Sequence, residues 1–225
     1  INIPQAILKL GKGTIKLGGE VKDYLGAQNF DGEIALDGLD LHEILPQQEQ
    51  PSKMYGLAYG KFTVKGAGFT PESLATMTGE GSLDVKEGKL SNINILQIAL
   101  SKISMIPGLV EKLESSLPER YKEKLKQKDT ILNKVNLVTS IADNKILIQS
   151  ADIDADGFLI DGKGEAGFDQ TYRIDSSFTV PADFSASMVE VVEELKYILN
   201  DENMIYMPLK ISGKGTNVQV LPDIG

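Results

Sequence analysis

Very few side chains in this chain could carry out catalysis or bind a metal. His42 is the single histidine, and the 225 residues contain no cysteine. A serine-histidine-aspartate triad would have to use His42, but no serine lies in the glycine elbow that this chemistry requires. One histidine and no cysteine also leave too few ligands for a structural zinc site. The pattern favours a partly exposed His42 that caps a short helix over a catalytic residue.

Asp152, Asp154 and Asp156, followed by Gly157, imitate the beginning of a calcium-binding loop. The twelfth position of such a loop should be a bidentate glutamate, but Lys163 stands there. The flanking residues alternate as strands do. Aspartates on the solvent face of a strand that ends in an Asp-Gly turn explain the pattern more simply, so we expect no metal site.

The other sequence features that enzymes use are incomplete. The 32 acidic residues supply carboxylate pairs by chance, but no aromatic sugar platform accompanies them and tryptophan is absent. The glycine-rich segments at 79–81 and 213–215 lack the remaining spacing of a phosphate loop and fit bends in strands. We therefore expect a non-catalytic protein without catalytic residues or cofactors.

The net charge and the lengths of the apolar runs bear on two further classes of protein, those that bind nucleic acid and those that span a membrane. The net charge is −9, and no basic cluster is present to bind nucleic acid. No apolar run approaches the roughly 20 residues of a membrane-spanning helix. The sequence begins at Ile1, with neither an initiator methionine nor a signal peptide. We expect a fragment of a longer protein whose membrane anchor lies outside it.

The central part of the chain is predicted to be a strand that leads into a kinked amphipathic helix. Leu83 and Val85 alternate with polar residues, and residues 87–89 are predicted to turn the chain. Apolar residues then recur at helical spacing, with a break at Pro107-Gly108. The two stripes are Ile95, Leu96, Ala99, Leu100, Ile103 and Ile106, and then Leu109, Leu113, Leu117, Tyr121 and Leu125.

The rest of the chain is mainly β in pattern. A helical turn is predicted at 39–45, a helix start at Thr70-Pro71, and a second amphipathic helix at 185–199. Alternating segments predict strands at 13–17, 30–36, 131–141, 145–153, 158–168, 172–180, 208–212 and 218–220, and residues 55–69 predict one long strand or a hairpin. Such a meander buries one face, and an amphipathic helix could cover a curved antiparallel sheet of this kind.

Several segments, in this order, resemble the C-terminal region of the AsmA family of bacterial envelope proteins, and the resemblance covers most of the chain. These segments are Gly79-Glu80-Gly81-Ser82-Leu83, Glu87-Gly88-Lys89-Leu90, Ile93-Asn94-Ile95-Leu96, Ile106-Pro107-Gly108-Leu109, Asp156-Gly157-Phe158-Leu159-Ile160, Gly162-Lys163-Gly164, Met207-Pro208-Leu209-Lys210-Ile211-Ser212-Gly213 and Pro222-Asp223. Residues 39–46 and 66–74 also fit.

The resemblance implies a protein on the periplasmic side of the inner membrane, anchored there by a part absent from this sequence. Members of the family are associated with phospholipid transport and outer-membrane assembly through a β-groove, and they offer no catalytic residues to carry over. We therefore expect residues 1–225 to form one AsmA-like domain of the α+β class. It should be β-rich, with a strongly curved antiparallel sheet as a groove or partly open barrel, covered by amphipathic helical segments at 93–126 and 185–199.

Two functions of different classes follow. In the first, the apolar face binds a phospholipid or another acyl-chain ligand. In the second, that face is a dry core, and edge strands or the acidic surface dock envelope partners, because patterning cannot separate a core from a groove. The candidate lipid-contacting residues are Leu83, Val85, Ile146, Ile148, Phe158, Ile160, Ile174 and Phe178 from strands, and Leu96, Ile103, Leu109 and Leu113 from the helix.

Overall fold

A computed structural model describes residues 1–45, 53–103, 106–215 and 217–223. Within them, eleven strands form one antiparallel sheet in which every strand pairs with its neighbours in sequence. The sheet does not close into a barrel, so its first and last strands are edges. The strands are β1 (Asn2–Leu10), β2 (Gly13–Lys22), β3 (Asn29–Asp40), β4 (Met54–Ala67), β5 (Thr78–Leu90), β6 (Thr130–Ala142), β7 (Lys145–Ala155), β8 (Phe158–Gly167), β9 (Thr171–Val180), β10 (Ile205–Lys214) and β11 (Asn217–Pro222).

The helices lie in the connections at one end of this sheet, which we call the helix end. Among the residues that the structure describes, one α-helix lies between β3 and β4, three lie between β5 and β6, and one lies between β9 and β10. The opposite end, the turn end, carries the loops that close the alternate hairpins, including the loop with the 3₁₀ segment at Pro71–Thr76. The helices are α1 (Leu41–Ile44), α2 (Ile95–Ile103), α3 (Leu109–Ser116), α4 (Glu119–Lys126) and α5 (Ala182–Val191), with 3₁₀ segments at Pro71–Thr76 and Glu193–Ile198.

The β-rich α+β class, the antiparallel meander and both helical regions predicted from the sequence are confirmed. The helices are more divided than predicted. Pro118 precedes α4 and separates it from α3, since proline is tolerated at a helix start but not in its interior. The region predicted as one helix at 185–199 is α5 followed by a 3₁₀ turn.

Two local predictions were wrong or incomplete. Residues 87–89 do not turn the chain, because β5 continues to Leu90. Glu87 adopts φ 53° and Gly56 on β4 adopts φ 134°, so the paired strands shift register and bend instead of reversing. β1 was not predicted at all. Its Pro4 argues against a central strand, but it is tolerated at this edge, where the pairing is irregular between Ile3 and Ala6.

The main core lies between the helices and the helix end of the sheet. Leu109, Leu113 and Leu117 are at most 2% exposed, and they belong to the same buried cluster as side chains of β8, β9 and α5. The ring of Tyr121 in α4 stacks on Phe184 of α5 with centroids 4.2 Å apart. The Tyr121 hydroxyl donates to Oδ2 of Asp183 at 2.6 Å, which holds the pKa of that carboxyl below its usual range.

Asn94 fastens the beginning of α2 to the end of α4. Its side chain is 8% exposed, and Nδ2 lies 3.0, 2.9 and 2.8 Å from the carbonyl oxygens of Lys124, Leu125 and Gln127. Its Oδ1 accepts a hydrogen bond from the backbone N–H of Gln97 at 2.9 Å. One side chain therefore satisfies terminal polar groups of two helices at once.

We expect Asn94→Asp to lower the free energy of unfolding by about 3 kcal/mol or more, because a carboxylate would face carbonyl oxygens without donating to them. Asn94→Ala should cost roughly 2 kcal/mol through the unpaired buried carbonyls. Urea unfolding measures both changes. Asn217→Asp adds the same charge on the exposed strand β11 and should be nearly neutral. Equal stability of the two aspartate variants would contradict a fastening role for Asn94.

Candidate functional site

The two faces of the sheet differ in polarity, as rows of directly opposed residues across the strands show. Opposed residues on paired strands point to the same side of the sheet. One row crosses eight strands from β3 to β10 and is apolar throughout, which identifies what we call the apolar face. It consists of Leu39, Ala58, Val85, Val135, Ile153, Ile160, Phe178 and Met207.

At the helix end, the apolar face is a filled core. Six of the twelve candidate lipid-contacting residues lie there, each at most 2% exposed. They pack within two clusters of buried apolar side chains, so the helices fill this part of the face instead of lining a cavity. The six are Val85, Leu96, Leu109, Leu113, Phe158 and Phe178.

Two further candidates pack against the buried clusters, and the side chain of a third is not described. Ile160 is half-buried and packs against the larger cluster, which includes α2, α3 and α5. Leu83 is half-buried and packs against the smaller cluster, which includes Leu39 and Val85. Ile103 closes α2, but its side chain lies outside the described residues.

The remaining candidates, Ile146, Ile148 and Ile174, are half-buried and belong to neither cluster. They lie in two rows nearer the turn end, each running from β2 to β10. We call these rows together the open apolar surface. The first is Leu17, Ile34, Phe62, Gly81, Thr139, Ile148, Gly164, Ile174 and Ile211, and the second is Gly19, Gly32, Val64, Gly79, Ile141, Ile146, Ala166, Tyr172 and Gly213.

Hydroxyl groups on this surface are turned toward the backbone. Thr139 Oγ1 donates to the carbonyl of Gly81 at 3.4 Å, and the Tyr172 hydroxyl donates to the carbonyl of Asn217 at 3.0 Å. Because these hydroxyls have backbone partners, they reduce the apolar character of the surface little.

At several glycines of these rows, atoms of the neighbouring strand lie so close on the apolar side that a side chain would not fit. A Cβ at Gly79 or Gly164 would lie less than 3.0 Å from a backbone oxygen of the neighbouring strand, a separation that real Cβ atoms essentially never show. At Gly81, the added atom would meet the ring of Phe62 equally closely. An alanine at these positions would therefore require the backbone or the ring to move.

Sequence reasoning missed several residues of the open apolar surface, including Leu17, Ile34, Phe62 and Ile211. Their strands were predicted from alternation, and that alternation was the available signal. Assigning them to the same face as Ile148 requires the register of every intervening strand pair, and a shift of one residue reverses the face.

The opposite face of the sheet is polar. Asp84, Asn136, Asp152 and Asp161 lie directly opposite one another on β5 to β8, and Nδ2 of Asn136 donates to Oδ1 of Asp84 at 3.0 Å. Of the calcium-like aspartates, Asp156 is paired with the ammonium group of Lys124. Within the described residues, no group of three or more acidic, histidine or cysteine side chains is placed to hold a metal ion.

His42 lies in the short helix α1, and its ring stacks on Tyr55 with centroids 4.7 Å apart. Its backbone N–H donates to Oδ1 of the helix-capping Asp40 at 2.9 Å. The ring is half-buried against Tyr55. These contacts describe a partly exposed, packed residue in the first turn of α1. The predicted capping role of His42 was wrong, because Asp40 caps this helix.

No known family model matches the chain, and no curated protein or solved structure matches it. The similarity to the AsmA family therefore rests on the short motifs of the sequence. In the described part of the chain, none of the helices combines the length and hydropathy needed to span a bilayer.

Proposed function

We propose that this chain binds acyl chains of a phospholipid on the open apolar surface and catalyses no reaction. The observation that carries the proposal is the continuity of that surface across nine strands, from β2 to β10, outside both packed clusters. Extended apolar surface on a soluble domain commonly marks a ligand or partner site.

We infer further that the sheet is strongly curved toward this surface, as a groove or partly open barrel. The close approach at Gly79, Gly164 and Gly213 supports this shape, because neighbouring strands crowd together on the concave side of a bent sheet. An acyl chain in such a groove would contact protein on more than one side.

The dimensions suit a lipid that lies across the strands. Nine strands spaced about 4.8 Å apart extend roughly 38 Å. Half of a bilayer core about 30 Å thick corresponds to one acyl chain of roughly 15 Å. The surface could therefore hold more than one chain along its length, and each buried methylene would contribute about 0.8 kcal/mol.

The proposed setting is the periplasmic side of the inner membrane of a bacterial envelope, in phospholipid transport or outer-membrane assembly. The motifs that resemble the AsmA family support this setting. The net charge of −9 suggests that contacts with anionic headgroups are local and do not come from a broad electrostatic attraction.

A phospholipid with a photoreactive diazirine in its acyl chain tests where the lipid binds. We expect cross-links at residues such as Phe62, Ile148 and Ile174, located by tandem mass spectrometry and suppressed by excess unmodified phospholipid. Leu113 should remain unlabelled, because it is 0% exposed. Labelling confined to polar-face residues such as Asp161 would contradict the proposed site.

The exposed edges favour a second candidate, an interaction module that docks envelope proteins. β1 and β11 are exposed along their whole length, with Ile7 55% and Leu221 59% exposed. An apolar edge strand can accept an added strand from a partner. Under this alternative, the purified chain carries no lipid, and the amides of β1 become protected from hydrogen exchange only when a partner binds.

A further inference from the structure

We propose that two neighbouring loops at the turn end insert apolar side chains into the surface of a zwitterionic phospholipid bilayer. The loops are residues 23–28, between β2 and β3, and residues 68–77, between β4 and β5. The idea that these loops bring lipid to the open apolar surface rests on the proposed function. Insertion of the loops into a bilayer is measured separately from the binding of lipid to that surface.

The loops carry large apolar side chains that are exposed to solvent. Leu25 is 95% exposed, Phe69 is 61% exposed and Tyr24 is 55% exposed. Leu25 is the most exposed large apolar side chain in the described part of the chain. Leucine and aromatic side chains of this kind favour the membrane interface, where tyrosine can keep its hydroxyl among the headgroups.

Part of the backbone of loop 23–28 is hydrogen-bonded within the loop itself. The N–H groups of Gly26 and Gln28 donate to the carbonyl of Asp23 at 3.0 and 2.9 Å, and the N–H of Ala27 donates to the Asp23 carboxylate at 2.7 Å. The side-chain amide of Gln28 donates to the carbonyl of Tyr24 at 3.2 Å. Internal pairing of this kind lowers the cost of moving backbone groups out of water.

The second loop adjoins the first and connects it to the apolar face. The N–H of Gly68 donates to the carbonyl of Gln28 at 3.2 Å. The ring of Phe69 stacks on Phe30 with centroids 5.6 Å apart, and Phe30 is half-buried on β3 opposite Gly66. Phe30 lies on the apolar face, two residues before Gly32 of the open apolar surface. Phe69 therefore continues that surface to the end of the sheet.

The charges of the loops favour a zwitterionic bilayer over an anionic one. Residues 23–28 and 68–77 contain Asp23 and Glu72 as their charged side chains and no lysine or arginine. The nearby Lys22 is paired with Glu20 at 2.6 Å. Binding should therefore depend on apolar insertion, with little sensitivity to salt or to anionic lipid.

A bilayer also suits these loops better than a folded protein partner. A stable protein interface buries about 800 Å² on each side, whereas one aromatic side chain buries 150–250 Å². Three side chains on two loop tips therefore fall short of such an interface unless the surrounding polar loop surface joins it. A fluid membrane surface requires only that the tips penetrate.

Cosedimentation with phosphatidylcholine vesicles tests this inference on the whole chain. We expect wild-type protein to bind, and Leu25→Ser and Phe69→Ser each to lower the partition coefficient roughly tenfold. Leu25→Ser is the decisive variant, because its side chain is almost free of protein contacts. Tyr197→Ser is the matched control, since Tyr197 is 79% exposed but lies at the helix end. Its partition coefficient should equal that of wild type.

The outcomes separate docking from lipid binding. Absence of wild-type binding to vesicles, equal partition of Leu25→Ser and wild type, or an equal loss in Tyr197→Ser would each overturn the docking inference. Concentration-dependent dimerisation lost in Leu25→Ser, without vesicle binding, would also overturn it and assign the tips to a second copy. If vesicle binding responds as expected but detergent-delivered phospholipid leaves the protein unoccupied, docking stands and the proposed lipid-binding function fails.

Discussion

Replacing Leu113 with glutamate is expected to lower the free energy of unfolding by more than about 4 kcal/mol, or to prevent folding. Leu113 is 0% exposed and belongs to the cluster that joins the helices to the sheet. A carboxylate there would lose its hydration among leucine and phenylalanine side chains. Because small domains are stable by only about 5–15 kcal/mol, urea unfolding monitored by circular dichroism should detect the loss readily.

Ser116→Glu is the matched control for this variant. It adds the same charge to the same helix, at an exposed position at its C-terminal end. A glutamate near the negative end of a helix dipole should cost no more than about 1 kcal/mol. If Leu113→Glu unfolds at the same urea concentration as Ser116→Glu, α3 lines an open space and the helix end of the sheet is not a filled core.

Ile148→Glu is expected to leave the protein folded and to weaken phospholipid binding by about tenfold or more. Ile148 is half-buried on the open apolar surface and outside both packed clusters, so a charge there can remain in contact with water. The same carboxylate would lose that water when an acyl chain covers it. Titration with a fluorescent phospholipid measures the affinity, and urea unfolding measures the stability, which should fall by about 1–2 kcal/mol.

Gln149→Glu is the control, because it adds one negative charge at the next residue of β7. Gln149 is exposed, and it lines a shallow concavity on the polar side together with Asp152 and Asp161. This variant should bind phospholipid as wild type does. Equal binding by Ile148→Glu and wild type would remove Ile148 from the site, and unfolding as severe as in Leu113→Glu would make this surface part of the core.

The helical stripes could be predicted from the sequence because their period is local. Leu109, Leu113 and Leu117 recur every four residues, and each is at most 2% exposed. What the stripe contacts could not be predicted in the same way. A residue that packs against another helix and one that contacts a ligand have the same apolar type and spacing, so Leu113 and Ile148 became candidates for one site.

Predicting the open apolar surface from the sequence would require the pairing of all the strands, which no single segment reveals. Ile148 and Ile174 share a row only because Gly164 lies opposite both, and Gln149 interrupts the regular pairing of β7. Bulges of this kind change which residues face the same side. The left-handed conformation of Glu87 was equally invisible, because a non-glycine residue gives little sign in the sequence that its φ is positive.

Native mass spectrometry of the chain purified from a bacterial host, with lipid extraction from the same sample, would show whether a lipid is bound. We expect a mass increase equal to one or more phospholipids at defined stoichiometry, and the same phospholipid in the extract. Ile148→Glu should lose this adduct and Gln149→Glu should keep it. An unliganded mass, with no adduct after phospholipid is added back, would contradict lipid binding and favour an interaction module with exposed edge strands.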